Sequence, residues 1–140
     1  MIFVTDPAQH QQVISAMDKG NEWAAAAPLI VIVCAREADD WTRPDNGLKY
    51  AHFDSGLATM SLLLGVVEEG LMAHPTAGWD ALKMKEIIGA PPDVDVLCVV
   101  MIGYPGTIDQ LDERTRKKDE AIRTRKEPHE TIARERWTFL

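Results

Sequence analysis

The segment EEGLMAHPTAGWD, residues 68–80, says more about the architecture of this 140-residue chain than any other segment. It connects a long apolar helix to an amphipathic helix, both predicted from hydrophobic periodicity. Gly70, Pro75 and Gly78 predict a turn here. Glycine adopts positive φ angles and, having no Cβ, lets backbone N–H groups approach a ligand. Such a connection is more often only structural, so its meaning depends on the elements around it.

Three apolar runs outside this segment predict strands. They are IFVT (residues 2–5), LIVIVCA (29–35) and DVLCVVMIGYP (95–105). The second run is continuous and rich in β-branched residues, which is typical of a central strand buried on both faces. Three strands are fewer than the roughly five or six of a usual sheet. The sequence therefore indicates that part of the sheet is missing or comes from another chain.

The predicted helices run from Pro7 to about Lys19, over residues 54–70 and over residues 79–88, with Asp54 as the predicted cap of the second. That second helix is apolar almost all round, and such a helix has to be buried. The small residues that recur on one side of it are Gly56, Ala58, Ser61 and Gly65. They would let another helix approach closely, so a second subunit is the expected partner.

Composition excludes several classes of protein. The chain is 46% hydrophobic and 26% charged, as in ordinary globular proteins, and its net charge of −7 argues against binding to nucleic acid or anionic membranes. No apolar run reaches the length of a membrane-spanning helix, and the N-terminus has no signal-peptide pattern. Cys34 and Cys98 are predicted to be buried, reduced thiols. A cytoplasmic location follows as the default expectation.

Sequence motifs for catalysis are absent. There is no glycine-rich phosphate loop, and Ser55 and Ser61 stand outside any nucleophile-elbow context. The four histidines have no metal-binding spacing: His10, His52, His74 and His129. We therefore predict no metal site and no hydrolase triad.

A basic segment stands out in this acidic chain. Residues 114–126, RTRKKDEAIRTRK, carry seven basic residues against two acidic ones. One interpretation is a solvated face or a surface loop. The other is a site for a single anionic group such as a phosphate, which arginine binds well because its planar guanidinium donates two parallel hydrogen bonds.

An ordered set of segments carries a family resemblance. The set comprises WAAAAPLIVIV (23–33), DSGLA (54–58), HPTAGWD (74–80), EIIGAPPDVDVLCVVMIGYP (86–105) and RTRK (123–126). In this order and spacing, the chain resembles the FMN-dependent nitroreductase family from Ile2 to Trp137. The resemblance implies an α+β fold, with a mostly antiparallel central sheet flanked by helices, in an intertwined homodimer that holds FMN at each interface. It also implies a ping-pong cycle, in which NAD(P)H reduces the flavin and a nitroaromatic or quinone-like small molecule then reoxidises it.

The resemblance also assigns cofactor-binding residues. The family's loop beside the flavin ring corresponds here to Pro75, Thr76, Ala77 and Gly78, with Ala77 standing where many relatives carry glutamate. The family's basic pair that binds the FMN phosphate corresponds to Arg123 and Arg125.

One departure from the family pattern concerns the N-terminus. The family's arginine/serine-rich phosphate grip and the segment that lines the flavin have no counterpart here, so we expect a single shortened domain over residues 1–140. FMN binding should then be weaker than is usual in the family. The alternative function is a non-catalytic remnant of the flavin fold that acts as a dimeric binding or interaction module.

Overall fold

The computed structural model describes residues 1–139. Its strands are β1 (Ile2–Val4), β2 (Leu29–Ala35), β3 (Met72–Thr76) and β4 (Asp95–Gly103). They form one antiparallel sheet in the order β1-β2-β4-β3. The helices are α1 (Pro7–Ser15), α2 (Ala51–Glu68), α3 (Ala81–Ile88), α4 (Glu113–Asp119) and α5 (Pro128–Thr131). The predicted α+β class with an antiparallel central sheet is confirmed.

The sheet has a fourth strand that the sequence did not predict. Strand β3 lies inside the segment interpreted above as a turn, and it pairs with β4 from Met72 to Thr76. Its sequence, MAHPT, is neither β-branched-rich nor alternating, and a proline normally argues against a strand. Pro75 is tolerated because β3 is the outermost strand, where a missing N–H need not break a ladder bond.

Two helix boundaries also differ from prediction. Helix α2 begins at Ala51, with Tyr50 at its N-cap, so the prediction that Asp54 caps the helix was wrong. Asp54 lies instead in the first turn, where its negative charge interacts favourably with the helix dipole. Helix α1 ends at Ser15, because the chain then turns to pair Met17 with Trp79.

The core lies on both faces of the sheet. On one face, Ile30 and Ile32 of β2 pack in a cluster with Val13 of α1 and Met84 of α3. On the other face, the alternate residues of β2 and β4 pack beneath Val66 of α2. Because successive strand residues point to opposite faces, a strand covered on both sides needs an unbroken apolar run. This confirms the prediction for LIVIVCA.

Helix α2 covers the sheet with one side only. Its large apolar residues on the outer side remain exposed: Phe53, Leu57, Met60, Leu64 and Val67. The prediction that this helix is buried all round therefore does not hold within one chain. The five residues recur every three or four positions, so they form a single stripe, which we call the α2 stripe.

Residues Met1–Pro105 form one compact unit, and a second unit begins at Gly106. Cys34 and Cys98 are free and only half-buried, so the prediction that they are buried was too strong. No helix within residues 1–139 combines the length and apolar character needed to cross a membrane. The single domain and the cytoplasmic location stay predictions.

Candidate functional site

The residues predicted to lie beside a flavin ring span the end of β3 and the loop that leads to α3. Pro75 and Thr76 still pair with Val100 and Val99 of β4. The next residue, Ala77, is exposed, and Gly78 is half-buried. With Trp79, these four residues form a short segment that starts at the end of β3 and leaves the edge of the sheet, and we call residues 75–79 the edge loop.

The edge loop is fastened to the turn that follows α1. The carbonyl oxygen of Gly78 accepts hydrogen bonds from the Asp18 N–H and from the Asn21 side-chain amide, each 3.0 Å long. Just beyond, the Asp80 N–H donates to the Ala16 carbonyl over 2.8 Å. These bonds join segments that are far apart in sequence, and they fix the loop relative to the core.

Close packing at position 78 leaves no room for a side chain unless Asn21 moves. A Cβ atom built there would lie 2.6 Å from Nδ2 of Asn21, well inside van der Waals contact. Its φ angle is not in the left-handed region, in contrast to Gly70, whose φ is +73°. The turn chemistry predicted for Gly70 is thus confirmed. Gly78 instead allows the loop to approach Asn21.

Backbone donors are left available along the edge loop. In the described part of the chain, no acceptor bonds to the N–H groups of Ala77, Gly78 or Trp79. Three successive donors on an anchored loop suit a planar ligand that presents hydrogen-bond acceptors along one edge. The loop therefore fits the acceptor-rich edge of a flavin ring. No titratable side chain stands at Ala77.

A groove of about 270 Å³ lies between α2 and the sheet, and Cys98 is part of its wall. The other residues lining it are Val33, His52, Ser55, Gly56, Thr59, Met60, Leu63 and Leu97. Burial raises the pKa of the Cys98 thiol, while a hydrogen bond from the Thr76 backbone acts in the opposite direction. Cys98 thus touches both the groove and the strand that leads into the edge loop.

The predicted phosphate-binding arginines lie between α4 and α5, in the unit that begins at Gly106. Both are exposed. The guanidinium of Arg125 donates to the neighbouring Thr124 carbonyl over 2.9 Å, and Arg123 has no partner in the described residues. Two uncompensated guanidinium groups fit a phosphate chemically. Their role as a pair stays a prediction.

Sequence reasoning missed Asp18 and Asn21. The turn that contains them has no motif, and only the folded chain brings it to Gly78. Among residues 1–139, no cluster of histidine, cysteine, aspartate or glutamate has the arrangement of a metal site.

Comparison with known proteins defines the class to which this chain belongs. Residues 2–104 match the model of the nitroreductase family. The chain therefore belongs to the nitroreductase family.

A curated relative from Mycolicibacterium smegmatis, described as an uncharacterized 15.4 kDa protein in the ask 5′ region, is 32% identical over 121 residues. The match covers 86% of this chain and 79% of the relative.

Solved structures show the same fold. An oxidoreductase containing FMN superposes with a TM-score of 0.83 at 21% identity, over 99% of this chain and 71% of that one. A Clostridium difficile nitroreductase family protein gives 0.75 at 21% identity, with 97% and 73% covered. The NADPH:FMN oxidoreductase from Vibrio harveyi, solved with NAD⁺, gives 0.71 at 18% identity, with 99% and 59% covered.

Proposed function

We propose that this chain is a flavin-dependent oxidoreductase that uses FMN, takes electrons from NAD(P)H, and passes them to a nitroaromatic or quinone-like acceptor. Family membership supports an oxidoreductase of this general type. The observation that carries the proposal to this chain is the edge loop, with its three free N–H groups and its anchored Gly78 carbonyl.

In this proposal the protein binds and orients the cofactor. The N–H groups of Ala77, Gly78 and Trp79 would donate to the acceptor edge of the flavin ring, with Pro75 and Thr76 as the supporting strand end. Arg123 and Arg125 would hold the phosphate. When bound, FMN supplies the hydride chemistry, so the chain needs no acid or base of its own for that step.

A test of the proposal begins with the purified protein reconstituted with FMN. We expect a flavin absorption band that is retained on gel filtration, and saturable quenching of flavin fluorescence on titration. We also expect oxidation of NADH or NADPH that depends on both FMN and a quinone. Reconstituted protein that binds neither FMN nor riboflavin, and gives no turnover, would contradict the proposal.

We also propose that the protein acts as a homodimer with a second copy packed on the α2 stripe. The stripe exposes five large apolar side chains on one helix, and contiguous apolar surface of this kind is typical of protein interfaces.

The alternative is a dimeric binding module with the same fold and no catalysis. The α2 stripe favours an interaction role in either case, and Ala77 removes the polar side chain that many relatives carry beside the flavin. The two functions differ in one measurable property. The module would dimerise without binding flavin, whereas the enzyme would do both.

A further inference from the structure

The Gly78 carbonyl is the most firmly held atom of the edge loop. Its two donors come from the turn after α1, and one of them is the side chain of Asn21, which lies 57 positions earlier in sequence. Asn21 is half-buried, and it directly faces the bare Cα of Gly78. Asn21 thus contacts the edge loop at Gly78 and holds it against the turn after α1.

The bond determines how the loop presents its donors. The C=O and N–H of a trans peptide point in opposite directions. Holding the Gly78 carbonyl toward the turn therefore directs the Trp79 N–H away from it. Without the Asn21 amide, one backbone bond from Asp18 would remain, and the Gly78–Trp79 peptide could rotate more freely. The Trp79 N–H would then lose its fixed orientation.

We propose that Asn21 is a positioning residue for the flavin ring: it orients the N–H groups of the edge loop without touching the cofactor. The proposal rests on the function proposed above. It concerns the ring and not the phosphate, because Asn21 bonds the loop that is proposed to bind the ring. Losing Asn21 should therefore weaken FMN and riboflavin to the same degree.

The test uses Asn21→Ala, Asn21→Asp and Gly78→Ala in the full chain reconstituted with flavin. Asn21→Ala should weaken the binding of FMN and of riboflavin about fivefold, which is the effect of one side-chain hydrogen bond. Asn21→Asp keeps the side-chain volume but places a hydrogen-bond acceptor opposite the Gly78 carbonyl, so it should weaken the binding of both flavins at least as much. Asn46→Ala is the matched control, because Asn46 also bonds a backbone group of a turn, the Leu48 N–H. It should change neither flavin affinity.

A double substitution separates positioning from general damage. The Cβ of Gly78→Ala would displace the Asn21 side chain, so this variant should lose the same bond and also suffer strain. Adding Asn21→Ala removes the obstructing amide, so the double variant should bind flavin no worse than Gly78→Ala alone. The bound-flavin absorption spectrum should shift in each variant that lacks the bond, and match the unsubstituted protein in Asn46→Ala.

The outcomes distinguish the two proposals. If the unsubstituted protein binds flavin and Asn21→Ala binds it equally well, the positioning role is wrong while the oxidoreductase proposal stands. Independent, additive losses in the double variant would also overturn the positioning role. If the unsubstituted protein binds no flavin, the proposed function itself fails.

Discussion

Replacing Leu64 by aspartate should dissociate the proposed dimer. Leu64 lies in the α2 stripe with 60% of its surface exposed, and it belongs to neither core cluster. The substitution places a charge where apolar contact is expected, and aspartate should be tolerated at an exposed position of a single folded chain. Its effect on association can therefore be separated from its effect on folding.

The magnitude follows from the exposed fraction. Burying a whole leucine side chain contributes roughly 1.5–3 kcal/mol, so covering the exposed part of Leu64 contributes roughly 1–2 kcal/mol. A two-fold symmetric dimer contains the residue twice, which gives roughly 2–4 kcal/mol for each dimer. At about 1.4 kcal/mol per factor of ten, the dissociation constant should rise roughly 30- to 800-fold. This range assumes that the dimer covers all of the exposed part of Leu64, and an unpaired carboxylate in the interface would weaken association further.

Sedimentation equilibrium from nanomolar to micromolar concentration measures the effect. Leu82→Asp is the matched control, because Leu82 lies on α3 and is 83% exposed, outside the α2 stripe. We expect the control to dimerise like the unsubstituted protein and Leu64→Asp to sediment as a monomer, with both giving the far-UV circular dichroism of a folded chain; the monomeric variant should unfold at a lower temperature because it has lost the stabilisation that association provides. The reasoning is refuted if the unsubstituted protein is a monomer at micromolar concentration, or if the two variants associate equally.

Three further predictions concern the phosphate site, the core and the thiols. Replacing Arg123 and Arg125 together by alanine should weaken FMN binding about a hundredfold or more while barely changing riboflavin binding, because each of the two charge-assisted contacts contributes roughly 1.5–3 kcal/mol. Equal losses in fluorescence titrations would place the phosphate elsewhere. Met84→Ala should lower the free energy of unfolding in urea by about 2–5 kcal/mol, since Met84 is fully buried between α3 and the sheet; a loss below about 1 kcal/mol, roughly one-tenth of a typical total stability, would contradict that packing. Burial raises the pKa of Cys34 and Cys98, so less thiolate exists at neutral pH. Iodoacetamide should therefore react more slowly with native than with urea-unfolded protein, and the native rate should rise with pH. Equal rates in the two states would be evidence against the half-buried positions of these thiols.

The sequence predicts the central strand of the sheet because burial on both faces requires a continuous apolar run, which is easy to recognise. Strand β2 needs apolar residues at every position, and a short β-branched run such as LIVIVCA is typical of that environment. Strand β3 has no such apolar run. It is an edge strand, with most of its residues at least partly exposed, and its pairing with β4 decides its conformation. A proline within it argued against a strand, although proline is acceptable at an edge.

The same distinction applies to the candidate site. Turn residues are recognisable locally, and Gly78 marked the loop that leads to α3, whereas Pro75, also interpreted as a turn residue, lies in strand β3. The part played by Asn21 depends on a hydrogen bond across 57 positions, and an asparagine after a helix is an ordinary turn residue. Gly78 was also interpreted too simply. Its lack of a Cβ allows the close contact with Asn21.

The two groups proposed to bind FMN are held in different ways, and this affects how each contributes to binding. The edge loop is anchored by bonds from Asp18 and Asn21 and by its continuity with β3, so little conformational entropy is lost when a ring binds there. The guanidinium groups of Arg123 and Arg125 are exposed, with no side-chain partner in the described residues, so ordering them on a phosphate costs entropy and their attraction is screened by salt. The loop is therefore the better candidate for specificity toward the ring, while the arginines would add affinity for the phosphate that depends on ionic strength.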